Sequence, residues 1–157
     1  MISVATIHNA EDFAGMRKAG QLAAETLDMI AEYVKPGVTT ESLDKRCFEF
    51  ADKNNACIAP LFYKGFPKSV CTSINHVICH GIPSSRVLEE GDIVNIDVTV
   101  IVDGWHGDTS RMYKVGKINN KAQKLIDCTY EAMMLGINEI APNKKTGDIG
   151  NAIQTYS

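Results

Sequence analysis

Apolar residues recur every three or four positions through the first part of the chain, at Phe13, Met16, Ala19, Ala23, Leu27, Ile30 and Val34. That spacing puts them on one face and predicts an amphipathic helix over residues 11–34. Asn9, with Asp12 three residues on, reads as its N-cap, and Pro36-Gly37 stops it. A second helix starts at Thr39 or Thr40, repeats Leu43, Cys47 and Phe50 on one face, and ends near Lys53-Asn54-Asn55. Pro60, Gly65 and Pro67 among aromatics make residues 57–68 a loop. The period then shortens to two. Residues 69–74 and 77–79 read as short strands around a tight turn at Asn75-His76, closed by Gly81-Ile82-Pro83, with a polar connection over 84–91. Residues 93–102 alternate cleanly, Asp103-Gly104 is a hairpin turn, and residues 105–115 return. Helical spacing resumes over 121–140 and is closed by Pro142-Asn143.

The helical segments repeat. A shift of 106 residues lays Pro36 on Pro142, Thr40 on Thr146 and Glu25 on Glu131. The same shift matches Leu27 with Met133, Val34 with Ile140, Leu43 with Ile149, Cys47 with Ile153 and Phe50 with Tyr156. Two helices joined by a proline-containing turn therefore occur twice, and the chain divides into residues 1–117 and the start of a second copy, 118–157. A completed second copy would take the chain to roughly 220 residues or more.

Composition narrows the function class. The 157 residues are 45% hydrophobic and 22% charged, too apolar for a disordered chain. Sixteen Lys and Arg against nineteen Asp and Glu give a net charge of −3, without the basic face that general nucleic-acid binding requires. The longest apolar run, residues 93–102, contains Asn95 and Asp97 and is too short to cross a bilayer. The N-terminus is polar by Thr6, His8 and Asn9, so no secretory apolar region is expected. Five cysteines form an odd set without a C-x-x-C pair, as expected of reduced cytosolic thiols.

The hairpin carries the sharpest chemistry. With Asp103-Gly104 as the turn, Val102 faces Trp105, Asp97 faces Ser110 and Thr99 faces Asp108. Asp97 and Asp108 are then diagonal neighbours on one face, roughly 7–8 Å apart at Cβ. Val94, Ile96, Val98 and Val100 take the other face and pack on helices. A carboxylate in such a run costs stability unless it is paired, hydrogen-bonded or metal-bound. Two carboxylates converging from adjacent strands can bridge divalent cations. Alternatively they cap the turn or pair with Arg111 or Lys114. His106 shares their face, as a third ligand or as a surface group. His80, before Gly81-Ile82-Pro83, stands at a strand end as a catalytic or a structural histidine. Cys71 or Cys79 with His80 would make a thiol nucleophile, but no third orienting residue accompanies them.

Three stretches resemble the bacterial type I methionine aminopeptidases: residues 63–83 (YKGFPKSVCTSINHVICHGIP), 91–98 (GDIVNIDV) and 103–109 (DGWHGDT). The likeness covers essentially the whole chain in order. It implies an α+β pita-bread fold, two pseudo-symmetric halves of antiparallel sheet backed by helices, of which this chain would hold the first half and two helices of the second. It also implies removal of the initiator methionine from nascent proteins by a hydroxide activated between two divalent metal ions (Co, Mn, Fe or Zn). Asp97 would chelate one metal and Asp108 would bridge both. His80 would be the catalytic histidine contacting the peptide, and Tyr63, Phe66 and Cys71 would line the methionine side-chain pocket. Lys64 stands where some members have histidine, and residues 58–62 make a longer segment than in common bacterial members, which leaves Cys57 or Pro60 as the remaining pocket wall. The family's other ligands, a histidine and two glutamates, belong to the second half, and no histidine follows His106. This chain alone is therefore expected to be inactive. Expected partners are N-terminal Met peptides near the ribosome in the cytoplasm, with no direct nucleic-acid or membrane contact. The alternatives are a non-catalytic pita-bread protein that binds peptides or ribosomes, and a prolidase-like enzyme; the intact aspartates and the Tyr63–Cys71 pocket favour methionine.

Overall fold

Asn9 begins the first helix as the spacing predicts. Its side chain accepts from the Glu11 and Asp12 amides, and the Asp12 carboxylate accepts from the Asn9 amide at 2.9 Å, a reciprocal capping box. This computed structural model describes residues 6–157; the reading of an absent export signal falls partly on residues 1–5, outside the described residues. Helix α1 spans Ala10–Ala31, and α2 spans Thr40–Lys53 from a Thr39 cap. Among the described residues no helix is long and apolar enough to cross a membrane.

The described residues fall into two compact units, parted between Lys117 and Ile118. In the first, β1 (Cys57–Ile58), β2 (Cys71–Ile74), β3 (Ile93–Val102) and β4 (Trp105–Lys114) form an antiparallel sheet. β3 is its axis: β1 and β2 share one of its edges and β4 takes the other. The hairpin register is the expected one, with Val102 opposite Trp105, Asp97 opposite Ser110 and Thr99 opposite Asp108. Asp103 and Gly104 both have positive φ (51° and 85°), as a type I′ turn requires.

Val94, Ile96, Val98 and Val100 are fully buried together with Ala19, Ala23, Leu27 and Ile30 of α1 and Leu43 and Cys47 of α2. The helices thus cover one face of the sheet and leave the other open. The Tyr113 hydroxyl donates to the Leu27 carbonyl at 2.6 Å and ties β4 to α1. All five cysteines are free.

Two local expectations change. Residues 77–79 do not form a strand. The turn at Asn75 is present, with the Val77 amide donating to the Ile74 carbonyl, but the chain rejoins β2 only at Gly81, whose carbonyl accepts from the Thr72 amide at 2.7 Å. A left-handed residue at His80 (φ 56°) breaks any ladder there. Residues 57–68 are also less irregular than their composition suggests, holding β1 and a 3₁₀ turn at Tyr63–Gly65. Two residues are too few to show a strand period.

The second unit is a helix pair, α3 (Asn120–Asn138) and α4 (Thr146–Tyr156). It repeats the first pair's punctuation: α2 begins at Thr40 and α4 at Thr146, and the turns carry positive φ at the matched Gly37 and Asn143. A Cβ on Gly136 would lie 3.0–3.1 Å from Ile149 and Ile153 atoms, so a glycine lets α3 and α4 touch.

Candidate active site

The open face of the hairpin is the floor of a cavity of about 960 Å³, lined by Asp97, Asp108, His80, Cys71, Tyr63 and Phe66 among others. All six residues singled out from the sequence therefore meet in one place. Asp97 comes from β3 and Asp108 from β4, on the face that period two directs away from the helices. The Thr99 hydroxyl donates to Asp108 Oδ1 at 2.9 Å and orients that carboxylate. Arg111 instead binds Asp28 of α1 at 2.7 Å, and Asp103 at the turn binds Lys18. Arg111 is therefore engaged by Asp28 and not by either cavity aspartate.

Burial raises the Asp97 carboxyl above its ordinary value, and the nearby Asp108 charge adds to this; His80 acts in the opposite sense. Among the described residues the Asp97 carboxylate has no hydrogen-bond or ion-pair partner. Two converging oxygen donors, one of them held at a cost, suit a hard divalent ion, for which charge repulsion between the carboxylates becomes attraction to the metal. The fit is partial, because no group of three or more His, Cys, Asp or Glu able to hold a metal occurs among the described residues. His106 lines the same cavity without completing such a group.

The walls are set by distant anchors. The buried Asp44 carboxylate of α2 accepts from the Ser69 and Val70 amides at 2.7 and 3.0 Å, fixing the entry to β2 and hence Cys71, which lies opposite Asp97. Burial, chiefly, pushes the Cys71 thiol up to about 11, with Asp97, Cys79 and Asp108 contributing. Cys71 is thus a neutral, polarisable wall, unsuited to act as a nucleophile at neutral pH.

His80 owes its position to Gly81. A Cβ on Gly81 would lie 2.8 Å from the Thr72 carbonyl carbon and 3.0 Å from Ser73 Cα, so only glycine passes against β2 there. The Gly81 amide also donates to Ser73 Oγ at 3.1 Å. Asn75, in the turn before His80, and Arg86, beyond it, both bind the buried Asp92 carboxylate, at 2.8 and 3.1 Å, pinning that turn.

The aromatic wall is a knot of left-handed residues, with positive φ at Phe62, Lys64 and Gly65. The Phe62 amide donates to the Phe66 carbonyl at 2.8 Å, and the Ala59 amide to the Thr99 carbonyl at 3.0 Å, fastening the knot to β3 beside the aspartates. Of the two candidates for the remaining wall, Pro60 lines the cavity, while Cys57 is exposed in β1. The sequence reading assigned no role to Lys64, Thr99 or Ile82, which also line it. The hairpin register, which sets Thr99 opposite Asp108, already pointed to Thr99.

Residues 14–157 match the profile of metallopeptidase family M24. The chain belongs to that family. It is 62% identical over 151 residues to a methionine aminopeptidase of Rickettsia prowazekii, covering 96% of this chain and 58% of that protein. The crystal structure of the Rickettsia prowazekii methionine aminopeptidase superposes with a TM-score of 0.95, covering 96% of this chain and 61% of that one. The Thermotoga maritima methionine aminopeptidase structure is 30% identical with a TM-score of 0.92, again covering 96% and 61%. At 19% identity, the prolidase from Pyrococcus furiosus (TM-score 0.82, covering 96% and 43%) shares the fold alone. The M24 chain therefore has the α+β pita-bread fold, and it spans about three fifths of the length of these methionine aminopeptidases.

Proposed function

We propose that this M24 chain is part of a methionine aminopeptidase that removes the initiator methionine from nascent proteins. Residues 1–117 would form the first half of its catalytic domain and residues 118–157 the start of the second. The observation that carries the reading is the convergence of Asp97, Asp108 and His80 with Tyr63, Phe66 and Cys71 on one cavity, in a chain 62% identical to a protein of that name.

In this reading Asp97 and Asp108 would hold divalent metal, the Asp108 carboxylate being aimed by Thr99. When bound, the ions supply Lewis-acid activation of water and polarisation of the scissile carbonyl. His80, on the strained residue locked by Gly81, contacts the peptide at the scissile bond and holds a proton for the leaving nitrogen. Tyr63, Phe66 and Cys71 take up the methionine thioether through ring and thiol surfaces, and the next residue must be small. Substrates are peptides with N-terminal Met, met near the ribosome in the cytoplasm, without a nucleic-acid or membrane contact of its own. With two carboxylates alone, the 157-residue chain holds metal weakly and turns over little by itself.

Release of free methionine from Met-Ala-Ser by the full-length protein charged with Mn²⁺ or Co²⁺, against Leu-Ala-Ser as control, tests the reading, and the 157-residue chain alone is expected to release little. Methionine release that is lost on Asp108→Asn supports it. Metal binding without release of methionine from any such peptide overturns it.

A further inference from the structure

Lys64 is a cation at the mouth of a site whose floor is two carboxylates. It lines the cavity beside Tyr63 and Phe66, and its backbone is left-handed, with φ at 48°. A lysine gains nothing from that conformation, which favours glycine or asparagine. Its ammonium lies 5.3 Å from the centre of the Tyr63 ring. Among the described residues it enters no ion pair, although Lys18, Lys68, Lys144, Arg86 and Arg111 all do. Lys64 is exposed while it lines the cavity, so its ammonium stands at the rim. The ring face supports the lysine stem and leaves the charged head turned to whatever enters.

We propose that Lys64 is a specificity residue that selects an acidic side chain at the third position of the peptide substrate. The inference rests on the aminopeptidase reading above. There the first side chain goes to Tyr63, Phe66 and Cys71 and the second is held small, so the third is the first position where a charged side chain has room. Two floor carboxylates without a rim cation disfavour acidic peptides; Lys64 offsets that field at the exit from the cavity.

The test is kcat/KM of the full-length protein on amidated Met-Ala-Xaa-Ala peptides with Xaa as Glu, Gln or Lys, for wild type, Lys64→Gln and Lys64→Glu, at low and high salt. Wild type is expected to prefer Glu over Lys by about two- to fivefold, the range of a solvent-exposed pair. That preference shrinks at high salt, vanishes in Lys64→Gln and reverses in Lys64→Glu. An unchanged Glu-to-Lys ratio in Lys64→Glu overturns the inference and leaves the aminopeptidase reading standing. Cleavage of none of the peptides overturns that reading instead. In that event the same peptides titrated into metal-free protein by NMR decide Lys64 separately, and equal affinities for the Glu and Lys peptides overturn it.

Discussion

Replacing Gly107 by alanine is expected to force α1 away from β4. Gly107 is buried immediately before Asp108, and a Cβ there would lie 2.6 Å from the Gly20 amide nitrogen and closer still to the Ala19 carbonyl. Ordinary contact begins near 3.4 Å, so the helix must retreat by roughly 1 Å, and both obstructing groups are backbone, with no rotamer to swing aside. Ala19, Ala23 and Leu27 line that seam at 0–1% exposure, and a radial gap of about 0.5–1 Å forfeits a quarter to a half of each dispersion contact. The cost is about 3 kcal/mol, the upper part of the overpacking range. In a chain of this size that lowers Tm by about 10 °C. Two glycines on the facing helix α1 are internal controls. A Cβ on Gly20 meets nothing within 4 Å, so Gly20→Ala should stabilise the helix by about 0.5–1 kcal/mol. A Cβ on Gly15 meets the Trp105 indole, a side chain that can move, and Gly15→Ala should fall between the two. Thermal and urea unfolding followed by circular dichroism ranks the three. A Gly107→Ala protein as stable as Gly20→Ala would refute the packing argument.

Two more outcomes are expected. In metal-free buffer Asp97→Asn removes a half-buried charge that Asp108 repels, so stability should rise slightly, by less than about 1 kcal/mol given the partial exposure; added Mn²⁺ should then raise the midpoint of wild type but not of the variant, and a lower metal-free Tm in the variant contradicts the reading. At high pH the buried thiol of Cys47 is pushed up to about 12 from 9.0, chiefly by burial. A raised folded-state value keeps this stability intact below about pH 9 and loses it as pH climbs toward 12, about 4 kcal/mol in all. Tyr113, also pushed to about 12, steepens the loss above pH 10. Cys47→Ala should be less stable at pH 7 yet flatter in urea midpoint between pH 9 and 11, and an unchanged slope would exclude the thiol as its source.

The hairpin was legible because two independent signals agreed, period two over residues 93–102 and the Asp103-Gly104 turn, and the turn alone determines the register. The helices were legible from spacing and caps, α1 ending three residues early because the Ile30 and Ala31 carbonyls pair into a turn before Pro36. The site walls were not legible from pattern. Tyr63, Phe66 and Cys71 were placed by resemblance, since their convergence depends on the left-handed knot at 62–65 and on the Asp44 bridge from another helix. The strand expected at 77–79 failed because β-branched and apolar residues there promised a ladder that Asn75, His80 and Gly81 divert. No local propensity reports a long-range backbone clash such as that of Gly81 with β2.

The alternation along β3 separates what stabilises this sheet from what reacts on it. Val94, Ile96, Val98 and Val100 have no exposure, while Asp97 and Thr99 between them face the cavity. A slip of one residue would exchange the faces, burying Asp97 against α1 and exposing four valine or isoleucine side chains. The register is therefore held by groups outside the site: the left-handed Asp103-Gly104 pair, the Tyr113 bond to Leu27, and the glycine contact of Gly107 with α1. Of the two carboxylates only Asp108 bonds across that register, through Thr99. They can remain repulsive and under-paired, ready for a cation, because the opposite face of the same strands keeps them in place.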